Sequence, residues 1–438
     1  MDLDDFDTFR IATCDLNGQM RGKRMPQKDQ GKLASGDLRM PLSVLNVDIW
    51  GADIANSPLL FASGDGDGYL LPTNRGPVPM PWLDQPSALV GMWMFEEDGR
   101  PFEGDPRHAL AQILDRYAAR GWQVVAATEL EFYLIDDSAE SPRPPKDPAS
   151  NRKIDSSAIL SLQQLDAFEA IFSELYQSCA QMGINAQAAS SEAGIGQFEI
   201  SLQHGDALRI ADDTWLFKTL LKGVARKHGY AASFMAKPYP NDAGNGLHLH
   251  FSVLDEAGEN IFDDGTKQGS PLLQNAVAGC LATMRAATLG FAPHANSYAR
   301  MDPENHAPTS ICWGYENRTA ALRIPAGAPS ARRIEHRVAG GDINPFLTLS
   351  LILGAALLGI EDDLTPPPPI TGNAYSQDLP QLIHSWSDAI DMFENDPMVA
   401  RILPAQLIEN FSLTKRQELD GLKNIPQEEH WKTYLETV

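Results

Sequence analysis

Glu129 and Glu131 stand two residues apart in the β-prone run AATELEFYLI, so both carboxylates leave the same face of a strand. Side by side on an otherwise apolar strand they repel each other, unless solvent screens them or a cation lies between them. SSEAGIGQFEISL offers a second pair. Glu192 precedes a glycine-containing turn and Glu199 lies on the next strand, so a chain folding back there brings the two acids together. In GNGLHLHFS, His248 and His250 share a strand face, while Gly244 and Gly246 leave room for a ligand to approach the backbone. Such a pair suits zinc, a phosphate contact or two solvated histidines, and with no third His or Cys nearby a structural zinc site is disfavoured. ARRIEHRVAGGDINPF places Arg333, Glu335 and Arg337 on one face of an extended run. That is either a salt-bridged stripe or an arginine pair shaped for carboxylates and phosphates, with a glutamate between them to hold a metal. Several acids with one or two histidines suit a hard cation such as Mg²⁺ or Mn²⁺, and two of these beside arginines imply phosphoryl chemistry.

The elements that must position these groups are legible as pattern. Up to about Pro101, short strand-like runs (DLNGQMRGKRMP, SVLNVDIWG, GYLLPT, ALVGMWMF) are separated by Gly and Pro, which describes a small β-rich domain. Asp105 and Pro106 then open a helix, with Leu110, Ile113, Leu114 and Tyr117 at helical spacing, and a domain boundary near residue 104 follows. Beyond it, strands from Trp122, Gln197 and Leu247 alternate with helical stretches near 160–182, 212–228 and 270–288, so the larger part is α+β. Asp255 to Gly258 reads as a hairpin turn, Arg143 to Arg152 as an exposed loop, and the prolines at 366–369 as a rigid connector.

At 438 residues the chain exceeds what one ordinary core supports. A formal net charge of −23 disfavours nucleic acid and acidic membrane surfaces as partners. Cys14, Cys179, Cys280 and Cys312 are widely spaced, with no CxxC pair, and suggest neither a disulfide framework nor a zinc knuckle. The opening MDLDDFDTFR is acidic and has no apolar core, so no secretory signal is expected and a cytoplasmic setting is. The most apolar stretch, Pro345 to Ile360, falls short of the roughly 20 residues that span a bilayer. It reads as a buried helix capped by Asn344 with Pro345 at its first position.

From RGKRMP near residue 21 to LPQLIHSWSDAI near residue 380, the chain resembles the glutamine synthetase family, most densely in NSYARMDPENHAPTSICWGYENRTAALRIPAGAPSARRIEHRVAGGDINPF. The resemblance implies a β-grasp-like N-terminal domain over 1–104. It implies a catalytic domain with a curved antiparallel sheet over 105–438. It also implies stacked hexameric rings, a dodecamer, in which one subunit's small domain closes its neighbour's active site. By the same resemblance, Glu131, Glu192 and Glu199 would hold a first metal and Glu129, His248 and Glu335 a second. His250, Ser252 and Arg333 would approach ATP, Arg318 and Arg323 would clamp its terminal phosphates, and Gly244, Arg300 and Arg337 would position L-glutamate. Arg300, Arg318 and His306 would act in catalysis. ATP would phosphorylate the glutamate side chain and an amine would then displace phosphate.

Two departures bear on the amine. Glutamine synthetase proper carries a flap glutamate six residues after the arginine of its NSYKR motif, where this chain has His306. The family's DGSS segment, which helps bind ammonium, is replaced by SVLNVDIWGAD, offering Asp48 or Asp53. Ammonium has no apolar surface to bury, whereas an alkylamine gains about 0.8 kcal/mol per buried methylene. A histidine of ordinary pKa near 6.5 still accepts a proton from the attacking amine. RGKRMP, WGYENRTAALRIP and RRIEHRVAGGD resemble the γ-glutamyl-amine ligase branch, which includes glutamate-putrescine ligases. A primary amine is therefore the expected acceptor, putrescine or another polyamine first, then small alkylamines. The rival expectations are a glutamine synthetase proper with a substituted flap, and a non-catalytic ring-forming or regulatory homologue. Tyr375 lies where some members carry a nucleotidylated tyrosine, but NAYSQDLP lacks that site's wording, and no modification is expected.

Overall fold

A computed structural model describes residues 3–60, 64–303 and 307–438, and among them the β-prone runs separate into two sheets. In the first, β1 (Thr8–Cys14) and β2 (Met20–Pro26) form an antiparallel hairpin, followed by β3 (Arg39–Pro41), β4 (Asp67–Pro79) and β5 (Ser87–Phe95). The order is β2-β1-β5-β4-β3, with β1 and β5 parallel. Alternation gives this sheet two apolar faces. Phe9, Ile11, Val90, Met92 and Met94 build a core of its own, while Ala12, Cys14, Val78, Met80 and Leu89 join the core of the larger body. SVLNVDIWG is not a strand. Leu42–Leu45 is a 3₁₀ turn, and the Asp48 carboxylate then accepts from the N–H of Trp50 and of Ala52, curling the chain through Gly51 at φ +82°. An aspartate that bonds its own downstream backbone diverts the run from a sheet ladder.

Helix Pro106–Ala118 begins where the Asp105 side chain accepts from Arg107 N–H, and it buries Leu110, Ile113 and Tyr117. The second sheet contains β6 (Gln123–Ile135), β7 (Ala186–Ser191), β8 (Gln197–Asp206), β9 (Ala231–Ser233), β10 (Leu247–Leu254), β11 (Trp313–Tyr315), β12 (Leu322–Ile324) and β13 (Ile334–His336). Its order is β11-β12-β13-β10-β6-β8-β7, with β9 beside the end of β6, and within this sheet only β11 and β12 run parallel among the described strands. Helices Glu169–Met182, Ala207–Lys227, Pro271–Met284, Pro345–Glu361 and Ala405–Leu422 complete an α+β architecture. The apolar helix starts as its sequence implies, with Asn344 accepting from Leu347 N–H and Pro345 in the first turn, and it is buried on nearly every side. No helix among the described residues is long and apolar enough to cross a membrane. All four cysteines are free and buried. The proline connector is tied to β11, with Trp313 Nε1 donating to Pro367 O at 2.7 Å.

Candidate active site

Strand register gathers the acids. Along β6 the even positions from Val124 to Leu130 are buried and the odd ones only half-buried, so Glu129 and Glu131 face the open side of the sheet together. Glu131 pairs directly with Glu199 on β8, and Glu129 with His248 on β10. Two residues along β10, His250 pairs with Glu335 on β13, which in turn pairs with Arg323 on β12. Directly opposed residues on neighbouring strands share a face, so a single row runs from Glu199 to Arg323 across five strands.

Within that row, donor atoms of Glu129, Glu199 and His248 lie within 4.8 Å of one another, and so do those of Glu129, His250 and Glu335. Glu129 belongs to both groups. His248 Nδ1 is 3.1 Å from Glu129 Oε2, and His250 Nε2 is 3.1 Å from Glu129 Oε1, a close approach without hydrogen-bond alignment. Burial pushes the Glu129 carboxyl upward, but the two imidazoles outweigh it and hold it well below the usual range. Arg333 Nε donates to His250 Nδ1 at 3.3 Å. Glu335, at 1% side-chain exposure, accepts from Arg323 at 2.8 Å and from Arg337 at 2.5 Å.

Glu131 accepts from Gly246 N–H at 2.5 Å, and Glu192 accepts from Ser190 Oγ at 2.9 Å. These two acids flank the donor groups, within electrostatic reach of Glu199. Gly246 sits where the site narrows: a Cβ there would fall 2.9 Å from Arg300 Nη2, and 3.4 Å from both Glu131 Oε2 and His248 Nε2. Gly244 packs against the Arg300 stem, where a Cβ would meet Cγ at 2.7 Å. Arg318 lies on an exposed turn within electrostatic reach of Glu192. Ser252 is two residues beyond His250 on the same strand face. His306 lies outside the described residues. Gln197 goes unnoticed in the sequence, although it precedes Glu199 by two and so shares its face. Its Nε2 donates to Gly244 O and to Asn245 Oδ1, each at 3.0 Å, and lies 3.5 Å from Glu131 Oε2.

The donor set fits a hard divalent cation. Burial, then Glu129, Glu131 and Glu192, push the Glu199 carboxyl up to about 9, and burial and Glu131 raise Glu192 to about 7. Acids crowded to this degree keep protons unless a cation replaces them. The stability they contribute is therefore full below the ordinary glutamate range and falls as pH rises through about 7 and then about 9. Saturating Mg²⁺ or Mn²⁺ is expected to displace these protons near neutral pH and to flatten that fall in Tm. Proton release measured in weakly buffered solution checks this, and metal binding with no proton release would contradict it.

Residues 103–434 match the family described as "Glutamine synthetase, catalytic domain". Gamma-glutamylputrescine synthetase PuuA of Escherichia coli (strain K12) is 35% identical over 93% of this chain and 87% of its own length. Glutamate–isopropylamine ligase of a Pseudomonas species is 31% identical over 99% of this chain and 95% of its own. The solved structure of apo GmaS without ligand superposes with a TM-score of 0.84 at 28% identity, covering 98% of this chain and 97% of that one. The chain belongs to the glutamine synthetase family, whose ligases use ATP and divalent metals. Within it, the chain stands in the γ-glutamyl-amine ligase branch.

Proposed function

We propose that this chain uses ATP to phosphorylate the γ-carboxylate of L-glutamate and passes the γ-glutamyl group to a primary amine, a polyamine such as putrescine or a small alkylamine. The observation that carries this reading is the convergence of six acidic and imidazole side chains (Glu129, Glu131, Glu192, Glu199, His248 and Glu335) with Arg300, Arg323, Arg333 and Arg337 around one row of the sheet. Glu131, Glu192 and Glu199 would hold one Mg²⁺ or Mn²⁺ and Glu129, His248 and Glu335 the other, with His250 at the margin of the second. When bound, such cations neutralise charge on the transferring phosphoryl group.

The chain's own groups do the rest. His250, Ser252 and Arg333 line the approach of ATP, and Arg318 and Arg323 meet its terminal phosphates. Gly246 and Gly244 leave the strand open enough for Arg300 and Arg337 to grip the amino-acid end of glutamate. A free carboxylate resists attack by an amine, and phosphorylation gives it a leaving group. His306 takes the proton that the attacking amine must lose. Residues 1–104 form the small domain and 105–438 the catalytic one, assembled as hexameric rings of a cytoplasmic dodecamer with sites between subunits.

Two observations support an alkylamine over ammonium. The Asp48 carboxylate is already engaged by Trp50 N–H, Ala52 N–H and Gln417 Nε2, so it is not offered to a small cation. Beside Glu192, the segment carrying Ile159, Leu160 and Leu162 leaves all three apolar side chains exposed. That segment is pinned in place, with Leu160 N–H donating to Ser191 O at 2.9 Å and Ser161 N–H to Ser191 Oγ at 2.7 Å. Leu160 is held at φ +58°, a conformation that a branched side chain adopts only under constraint.

A phosphate-release assay with ATP, glutamate and a panel of amines tests the reading. Turnover with ammonium alone would indicate a glutamine synthetase proper, and ATP binding without turnover on any amine would indicate a non-catalytic homologue. Replacing Ile159 and Leu160 by serine is expected to lower the preference for putrescine over methylamine by roughly tenfold, the worth of about two methylenes. An unchanged ratio of kcat/KM values would remove that segment from the amine site.

A further inference from the structure

We propose that His294, Lys415 and Glu418 are positioning residues for substrate glutamate, forming a buried polar chain that fixes Arg300 and ties it to the β1–β2 hairpin. The inference rests on the reading of Arg300 as a glutamate-binding residue. Arg300 ends the helix Ala295–Arg300, which is only six residues long. So short a helix does not hold its own place, and its N-terminal end must be anchored by its surroundings. The anchor is polar. His294 N–H donates to Ser297 Oγ at 3.0 Å, and Ser297 Oγ donates to Asp342 Oδ2 at 2.5 Å. His294 Nδ1 lies 3.4 Å from Lys415 Nζ, which donates to Glu418 Oε2 at 2.9 Å and to Asn17 Oδ1. Asn17, in the hairpin between β1 and β2, closes the circuit by donating to Glu418 Oε1 at 2.8 Å. Burial, then Lys415 and Lys218, hold His294 well below its ordinary pKa, so its neutral ring serves as the acceptor for the ammonium.

Lys415 and Glu418 have no exposed side-chain surface. An ion pair taken wholly out of water contributes little net stability, because desolvation offsets the attraction, and well-packed apolar residues of similar volume do as well or better. What an apolar pair cannot do is fix one orientation of the His294 ring and the Asn17 amide. The charges therefore set position, and the group at the end of the chain is Arg300, 5% exposed, with Nη1 donating to Val338 O at 2.8 Å and Nη2 beside Gly246.

The test is the full-length double variant Lys415→Met/Glu418→Leu, beside Arg300→Lys. The double variant is expected to fold with a lowered Tm, because the Asn17 amide loses its partners, while KM for glutamate rises roughly tenfold or more and KM for ATP stays within about twofold. Unchanged glutamate KM, whatever the Tm, would overturn the inference, as would equal rises in both KM values. If Arg300→Lys leaves glutamate KM unchanged, it is the underlying assignment of Arg300 that fails instead. Should the double variant not fold, His294→Ala and His294→Asn decide: glutamate KM rises in the first and returns toward wild type in the second, which keeps a side-chain acceptor. Equal values in both would overturn the proposal.

Discussion

Glu335→Ala is expected to lower amine-dependent phosphate release by roughly 10²- to 10³-fold or more, the cost of removing one charge stabiliser from a phosphoryl- or acyl-transfer site. The carboxylate is nearly inaccessible, sits opposite His250 in register, and is gripped by Arg323 and Arg337. Burial alone would raise its pKa, but the surrounding His248, Arg337, His250 and Arg323 bring it below the ordinary value, so it is a carboxylate at neutral pH. Alanine would leave two guanidinium groups facing each other without a counter-charge. Breaking a buried pair from one side costs about 3–5 kcal/mol, so Tm should drop as well. Glu335→Gln separates the two effects: it keeps an acceptor for the arginines and loses only the negative charge. Phosphate release near wild type in the glutamine variant would contradict a metal-holding role for this residue.

Glu129→Ala should have the second large effect, on cation binding itself. Glu129 stands in both donor groups, so its loss removes a proposed ligand of the second cation and a negative charge beside the first. A cation that binds only the folded protein stabilises it by about 2.7 kcal/mol at 100 times its Kd. Wild-type Tm should accordingly climb on addition of Mg²⁺ or Mn²⁺, and most of that climb should vanish in the variant. Equilibrium dialysis gives the independent count of bound metal. A metal-induced shift in Tm equal to that of the wild type would show that Glu129 only balances the charge of its two imidazole neighbours.

Local chemistry was legible wherever a signal and its consequence lie within one turn or strand. Asn344 and Pro345 announce their helix, Asp105 and Pro106 theirs, and the spacing of Glu129 and Glu131 fixes their common face. Register was not legible. His248 meets Glu129 across a separation of 119 residues, and nothing in either segment names the other as its partner. The resemblance to a family supplied the convergence that pattern alone left open. It did not foresee that Glu129 is shared by both donor groups, that His250 stands in one of them, or that Gln197 braces Gly244 and Asn245. SVLNVDIWG misled because its apolar alternation is real, while Asp48 spends its carboxylate on the backbone that follows and breaks the ladder.

The two-faced burial of the β1–β5 sheet sets a limit on how this protein can be altered. One side of that sheet seals its own small core, while the other supplies Ala12, Cys14, Val78, Met80 and Leu89 to the interior of the larger body. Cutting the chain near residue 104 would strip an apolar wall from the remainder and leave the released fragment greasy on its back. This sheet cannot be grafted or deleted as a cassette, because half of it is the interior of something else.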